Sequence, residues 1–160
     1  YPEHVREMGD DPKTAPPTFF CKPADAIVPS GSTIPYPLAT KNLHYEVELV
    51  VCIGQAGVEI PIDQALHHVF GYAVGIDLTR RDLQAMAKSK GLPWDTSKAF
   101  DSAAPMGSIV RSMVAQQSDD QVVVPPHGKI QLTVNGKVQQ ESTLDQMIWS
   151  IPEIIHQLSN

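Results

Sequence analysis

Two glutamates in the stretch KNLHYEVELVVCIG could bind a cation together. Glu46 and Glu48 lie in an apolar run that predicts a β-strand over residues 43–53, and strand residues two apart point to the same face. Like charges at that spacing repel unless a positive group lies between them. Mg²⁺ and Mn²⁺ prefer carboxylate oxygens. The spacing therefore permits a metal site, but it equally permits a strand with one solvated face.

A third carboxylate, Asp77, could complete such a site. It follows the apolar stretch GYAVGI and shares a strand face with Ala73 and Gly75, whose small size would leave room for an ion or a substrate. The alternative is that Asp77 caps the helix predicted to begin near Arg80. Spacing alone leaves both interpretations open.

Four further side chains could act on a substrate. His4 and Glu7 are three residues apart and share a face on a helical turn, where the carboxylate could make the imidazole a general base. Lys98 could stabilise a developing oxyanion, and Arg81 could bind a substrate carboxylate through two hydrogen bonds. The alternatives are an exposed histidine, a solvated loop lysine and an arginine in an exterior salt bridge.

The elements that must position these residues are short and mixed. The strand over 43–53 has a wholly apolar face that we expect in a core. A helix follows Arg80 and ends at Gly91. A hairpin turns at Asn135-Gly136, the preferred type I′ pair.

Other segments extend the same pattern. We expect a short strand that ends near Pro23, a helix and a strand separated by Gly71, and a last helix near the end of the chain, broken before Pro152. Strands and helices of mixed length without a regular βαβ alternation favour the α+β class.

Composition limits the classes of function. The 160 residues predict one domain over 1–160, and the net charge of −6 argues against a nucleic-acid partner. The apolar runs are too short to cross a membrane. Cys21 and Cys52 have no metal-site spacing, so we expect a disulfide-free cytoplasmic protein. The missing initial methionine and the abrupt last segment lead us to expect an incomplete sequence at both termini.

Five sequence segments together resemble one enzyme family. They occur in the family's order and are HVREM, KNLHYEVELVV, GYAVGIDLTRRDLQ, KGLPWDTSKAF and LTVNGKVQQESTLDQMIWSIPEII. In these segments the chain resembles the fumarylacetoacetate hydrolase family, and most closely its acylpyruvase and oxaloacetate decarboxylase branch. Two family motifs are not found: the R-N-Y type motif before the first segment and a later T-G-T-P motif.

The resemblance implies a fold, an assembly and a set of site residues. The fold would be a mixed β-sandwich roll with short flanking helices, and the proteins are usually homodimers. The implied ligands of Mg²⁺ or Mn²⁺ are Glu46, Glu48 and Asp77. The implied catalytic dyad, on a short helical lid, is His4 and Glu7. The implied substrate-pocket residues are Arg81, Gln84 and Lys98, the last with a catalytic charge. Arg80 would lie at the surface, and His44 could approach the metal.

The resemblance also implies a reaction, which we state as a hypothesis. A small 2-oxo acid would bind the metal, and cleavage of a C–C bond would leave an enolate held at the metal. Acylpyruvate hydrolysis and oxaloacetate decarboxylation both pass through that species. The alternatives are an isomerase or decarboxylase of hydroxymuconate-type dioic acids, and a non-catalytic relative that kept the fold.

Overall fold

The computed structural model describes residues 1, 2, 6, 17–111 and 125–160. These residues fall into two compact units. The first unit comprises Tyr1–Thr18, Val51–Tyr72 and Ile109–Asn160, and the second comprises Phe19–Val50 and Ala73–Ser108. All predicted site residues that the structure describes lie in the second unit.

The second unit is built from short strands and two helices. The strands are β1 (Ile27–Pro29), β2 (Leu43–His44), the start of β3 (Val47–Ile53), the end of β4 (Val69–Ile76), β5 (Thr79–Arg80) and β6 (Ala104–Met106). The sheet order is β1-β6-β4-β3, with β1 parallel and β4 antiparallel to β6, while β2 pairs separately with β5. The helices are α1 (Arg81–Lys90) and α2 (Asp95–Lys98), preceded by a 3₁₀ turn, η1 (Ala24–Ala26). This content agrees with the predicted α+β class.

The predicted single strand over 43–53 is wrong, because it is broken at Tyr45 and Glu46. Leu43 pairs with Arg80 of β5, whereas β3 lies beside β4. The chain changes its pairing partner between the two strands, and alternation along one chain cannot reveal such a change. Glu46 therefore lies in the break and not within a strand.

The prediction that the apolar face of this segment meets a core holds only in part, through Leu43. None of its residues is fully buried, and Ile53 is 54% exposed. The buried cluster in this unit consists instead of Ala26, Phe100 and Ala103, with Leu43 and Leu78 packed against it. This cluster therefore combines residues from both chain segments of the unit.

Two features near the site also differ from expectation. Gly71 does not separate a helix from a strand, because it lies inside β4 and a 3₁₀ helix, η2 (Ile62–His68), precedes that strand. Gly75 leaves no room for an ion, since a Cβ atom there would lie 2.7 Å from Cγ2 of Val50. Its small size accommodates the neighbouring strand.

The segment before Pro23 is not a strand, since Thr18–Pro23 has no strand pairing and β1 begins only at Ile27. The helix predicted after Arg80 is confirmed as α1, and Gly91 ends it with a left-handed φ of 63°. Asp77 does not cap this helix, because the N-cap residue is Arg80.

The first unit contains the hairpin and the last helix. Strands β7 (Lys129–Val134) and β8 (Lys137–Thr143) join through Asn135 and Gly136, which have φ values of 50° and 77°. Both values are positive, so the type I′ turn is confirmed. Helix α3 (Ile151–Ser159) follows a 3₁₀ turn, η3 (Leu144–Gln146).

Helix α3 begins with a capping box. The Ser150 hydroxyl accepts a hydrogen bond from the Glu153 amide, and the Glu153 carboxylate accepts one from the Ser150 amide. Pro152 lies in the first turn, where its missing N–H costs no helical hydrogen bond. The predicted break before Pro152 is therefore the start of the helix.

Two features outside the site are the cysteines and the length of the helices. Cys21 and Cys52 are both free thiols, as expected. Among the residues that the structure describes, no helix combines the length and apolar character needed to cross a bilayer.

Candidate metal centre and substrate site

The three predicted carboxylates converge. Glu46 lies between β2 and β3, Glu48 lies at the start of β3, and Asp77 directly follows β4. One ligand oxygen from each lies within 4.8 Å of the other two. The Asp77 amide donates a 2.8 Å hydrogen bond to the Glu46 carbonyl, so the backbone itself holds two of the three residues together.

The donor set fits a hard divalent cation. Glu46 and Asp77 are 7% and 3% exposed, and all three side chains offer oxygen. The Asp77 Oδ1 atom is buried, and its described partner is the Lys22 ammonium at 2.8 Å. Three carboxylates this close together are stable only with positive charge beside them, which a divalent cation would supply. The same donors suit Mg²⁺ and Mn²⁺.

Lys98 is buried beside this cluster. Its side chain is at the end of α2, and the residue is 1% exposed. The Nζ atom donates to Oε2 of Glu46 at 2.9 Å, to Oδ2 of Asp77 at 2.5 Å and to Oγ1 of Thr79 at 2.7 Å. The alternative of a solvated loop lysine is therefore wrong.

Arg81 and Gln84 lie on the same side of the cluster. Arg81 forms an ion pair with Oε1 of Glu46 at 2.5 Å and donates to the Gln84 side-chain oxygen at 2.5 Å. Gln84 is 2% exposed. His44 lies beside Arg81, and its ring nitrogen accepts a 3.4 Å hydrogen bond from Nε of Arg81. Arg81 therefore points into the site and not into an exterior salt bridge.

Arg80 is not a plain surface residue. Its guanidinium carbon lies 4.2 Å from the Phe100 ring centroid, and it donates a 3.1 Å hydrogen bond to the Thr96 carbonyl. The Arg80 guanidinium packs on the aromatic ring, and one of its N–H groups reaches the start of α2. Arg80 thus links strand β5 to the helix that carries Lys98.

Burial raises the pKa of two of the three carboxyl groups. Loss of hydration, and then the charges of Asp77 and Glu46, raises the pKa of Glu48 to about 7. Loss of hydration also raises the pKa of Asp77, although the ammonium groups of Lys98 and Lys22 oppose this rise. Glu48 as a residue is exposed, so water reaches part of its side chain and weakens this effect. Excess negative charge at this place favours a bound cation.

Sequence reasoning missed three residues at the site. The Lys22 Nζ atom lies 2.8 Å from Oδ1 of Asp77, and the Phe20 ring centroid lies 4.7 Å from Nζ of Lys98. The Trp94 ring is 6.0 Å from that of Phe20. The one available signal was a lysine two positions after a pair of phenylalanines in TFFCKP, which we interpreted as the end of a strand.

The predicted dyad cannot be placed. His4 and Glu7 both lie outside the described residues, so their role remains a prediction from the family resemblance.

Comparison with known proteins adds independent support. The model of the fumarylacetoacetate (FAA) hydrolase C-terminal family matches residues 1–160. A fumarylpyruvate hydrolase from Ralstonia sp. is 45% identical over 88% of the chain and 69% of its own length. The human mitochondrial oxaloacetate tautomerase FAHD1 is 39% identical over 99% of the chain and 68% of its own length.

A solved structure shows the same fold. The fumarylpyruvate hydrolase from Pseudomonas aeruginosa, in complex with Mn²⁺ and pyruvate, is 47% identical with a TM-score of 0.86, over 99% of this chain and 67% of that one. The chain thus spans about two thirds of the length of the relatives described here. The sequence motifs, the full-length family match and the shared fold agree, and the chain belongs to the fumarylacetoacetate hydrolase family.

Proposed function

We propose that this chain carries the metal site of an enzyme that hydrolyses acylpyruvates, 2-oxo acids whose C–C bond is broken to release pyruvate. The observation that carries the proposal is the convergence of Glu46, Glu48 and Asp77 around a buried lysine, Lys98. Two of these carboxylates, those of Glu46 and Asp77, are buried together with the Lys98 ammonium. Buried charges in one place are costly for folding, so their presence favours a chemical role.

The chain's own residues divide the work between binding the cation and binding the substrate. Glu46, Glu48 and Asp77 would hold Mg²⁺ or Mn²⁺, which when bound supplies a Lewis acid for the 2-oxo group. Arg81, oriented by Gln84, would pair with the substrate carboxylate. Lys98 would keep a fixed positive charge beside the oxygen on which the enolate charge develops.

His4 and Glu7 would supply the attacking water. Glu7 would hold one tautomer of His4, and His4 would take a proton from water as that water attacks the distal carbonyl. The C–C bond then breaks, the acyl group leaves as a carboxylic acid, and the pyruvate enolate takes up a proton. This part of the proposal rests on the family resemblance.

The relatives support the substrate class. The Pseudomonas enzyme holds pyruvate together with Mn²⁺, and pyruvate is the common product expected from every acylpyruvate. The Ralstonia relative is named for the same activity.

A second candidate is keto–enol tautomerisation of oxaloacetate, which the oxaloacetate tautomerase relatives favour. Proton transfer through an enolate would need the carboxylates and Lys98 but no attacking water. Decarboxylation of oxaloacetate would use the same groups. Isomerisation of dioic acids is a further candidate, because a 2-hydroxyhepta-2,4-diene-1,7-dioate isomerase from Mycobacterium marinum is 30% identical with a TM-score of 0.76.

A substrate panel separates these activities. The metal-stripped protein would be assayed with fumarylpyruvate, acetylpyruvate, oxaloacetate and a hydroxymuconate-type dioic acid, each with Mn²⁺, with Mg²⁺ and with a chelator. We expect metal-dependent pyruvate release from the acylpyruvates. Turnover of the enol of oxaloacetate alone would favour the tautomerase, and no metal-dependent turnover of any compound would exclude an enzyme of this class.

Two broader expectations from the family resemblance also remain proposals: that the protein is a homodimer and that it acts in the cytoplasm. Sedimentation velocity with and without Mn²⁺ tests the first, and fractionation of the source cells tests the second.

A further inference from the structure

Lys22 joins three separate segments around the metal centre. Its Nζ atom donates hydrogen bonds to the backbone carbonyls of Leu78 at 3.1 Å, Lys98 at 2.6 Å and Ala103 at 3.0 Å. Leu78 follows the predicted ligand Asp77, and Lys98 is the catalytic lysine itself. One ammonium therefore ties the ligand loop to the helix that presents Lys98.

The geometry also fixes how Lys22 meets Asp77. The same Nζ atom lies 2.8 Å from Oδ1 of Asp77, where an ammonium and a carboxylate form an ion pair that is also hydrogen-bonded. Lys22 therefore holds the side chain of a predicted metal ligand as well as the three backbone carbonyls.

The surroundings of Lys22 are largely buried. The Lys22 side chain is 15% exposed, and its Nζ atom lies 5.5 Å from the Phe100 ring centroid. Phe100 belongs to the buried cluster with Ala26 and Ala103. Placing an ammonium here is costly unless its partners are fixed, so the contacts are specific and not those of a solvated lysine.

We propose that Lys22 is a positioning residue of the metal centre, which sets the distance between the Asp77 carboxylate and Lys98 by holding their backbones together. This inference rests on the proposed metal site. The competing explanation is that Lys22 only offsets the negative charge of the cluster.

The two explanations predict opposite changes in Mn²⁺ affinity when Lys22 is replaced. Isothermal titration of the metal-stripped Lys22→Met variant should show Mn²⁺ affinity about tenfold or more below wild type, as is typical when a residue that orients a metal ligand is lost. If Lys22 only offsets charge, its removal takes a cation away from the site and Mn²⁺ should bind more tightly. Unchanged or tighter binding overturns the proposal.

Lys22→Arg separates geometry from charge. Arginine keeps the positive charge, but its planar fork cannot direct three N–H groups at three carbonyls that converge on one point. We expect Mn²⁺ affinity to stay at least about tenfold below wild type. Wild-type affinity in this variant would show that charge alone suffices and would overturn the proposal.

A rescue experiment covers the case in which Lys22→Met does not fold. Lys22→Ala removes the lysine side chain beyond Cβ and leaves space for a small amine. Millimolar propylammonium should therefore restore Mn²⁺ affinity, while propanol, which carries no ammonium group, should not. Absence of any rescue in folded Lys22→Ala contradicts the proposal. Lys129→Met, which removes an exposed ion pair with Glu141 in the other unit, is the matched control and should bind Mn²⁺ as wild type does.

The wild-type titration keeps this proposal distinct from the proposed function. If wild type binds no Mn²⁺, the metal site itself is wrong. If wild type binds Mn²⁺ and all Lys22 variants bind it equally well, only the positioning role is wrong.

Discussion

The backbone amide of Asp77 donates a 2.8 Å hydrogen bond to the backbone carbonyl of Glu46. This bond joins two predicted metal ligands that are 31 positions apart in the chain. Glu46 lies in the break between β2 and β3, and Asp77 directly follows β4. The ligand geometry therefore depends on the fold and not on flexible side chains alone.

The first prediction concerns the three carboxylates. Each of Glu46→Gln, Glu48→Gln and Asp77→Asn keeps the side-chain volume but removes the charge that a divalent cation needs. We expect each substitution to lower Mn²⁺ affinity at least about a hundredfold. Loss of a residue that only hydrogen-bonds to a metal ligand already costs up to about that much, and these substitutions change the ligands themselves. Isothermal titration measures this change.

The matched control for these variants is Glu141→Gln. Glu141 is an exposed glutamate on β8 that pairs with Lys129. Its loss should leave Mn²⁺ affinity unchanged. Equal losses in Glu141→Gln and in the three site variants would mean that the metal binds without a defined site.

The second prediction concerns pH. The raised pKa of Glu48, about 7, and the raised pKa of Asp77 mean that the metal-free folded state binds more protons than the unfolded state above about pH 4.5. The free energy of unfolding should therefore fall as pH rises from about 5 to 7.5. Urea unfolding of chelated protein across this range measures it, and a rise in stability would contradict the assignment.

The same protonation should weaken metal binding in acid. Below about pH 7 a proton on Glu48 competes with the cation, so Mn²⁺ affinity should fall by up to about tenfold for each pH unit. In Glu48→Gln, which has no such proton, the remaining affinity should depend less on pH over this range. An unchanged pH dependence in that variant would assign the effect to another group.

The third prediction concerns Lys98. Lys98→Met removes the ammonium between Glu46 and Asp77 and leaves two buried carboxylates to repel each other. In the chelated protein we expect the free energy of unfolding to fall by about 3–5 kcal/mol. Saturating Mn²⁺ should restore much of this stability, because the cation takes over the neutralisation, but it should not restore turnover.

Lys129→Met provides the control for Lys98→Met, since its ion pair is exposed and should contribute little to stability. Chemical denaturation with and without Mn²⁺, combined with a pyruvate-release assay, gives both measurements. Full activity of Lys98→Met with Mn²⁺ would remove Lys98 from the proposed catalytic groups.

The fourth prediction concerns His4. His4→Ala should lower acylpyruvate hydrolysis by about 10²–10⁴-fold, since it removes the proposed general base. Oxaloacetate decarboxylation needs no attacking water and should change much less. Steady-state rates on both substrates test this, and equal losses would contradict a shared enolate with a separate water-activating group.

Local sequence rules predicted the elements whose structure depends on neighbouring residues. Asn135-Gly136 predicted the hairpin because a type I′ turn needs positive φ at both positions, and Gly91 predicted the end of α1 for a similar reason. Strand alternation placed Glu46 and Glu48 on one side, although Glu46 proved to lie outside the strand.

The features that were missed depend on distant parts of the chain. The break at Tyr45 and Glu46 arises because β2 and β3 have different partner strands, and pairing partners are not encoded in local alternation. Lys22 acts on carbonyls 56 to 81 positions away, so no local spacing could indicate its role. The burial of Lys98 depends likewise on Thr79 and on the carboxylates that surround it.

Crystals grown with Mn²⁺ and pyruvate would test the central claim most directly, by anomalous diffraction at the manganese edge. We predict one Mn²⁺ peak bound by oxygens of Glu46, Glu48 and Asp77, with pyruvate beside it and within reach of Lys98. A Mn²⁺ peak held by other residues would contradict the account. So would full metal-dependent activity of the protein used for crystallisation if the crystals showed no Mn²⁺ at these three carboxylates.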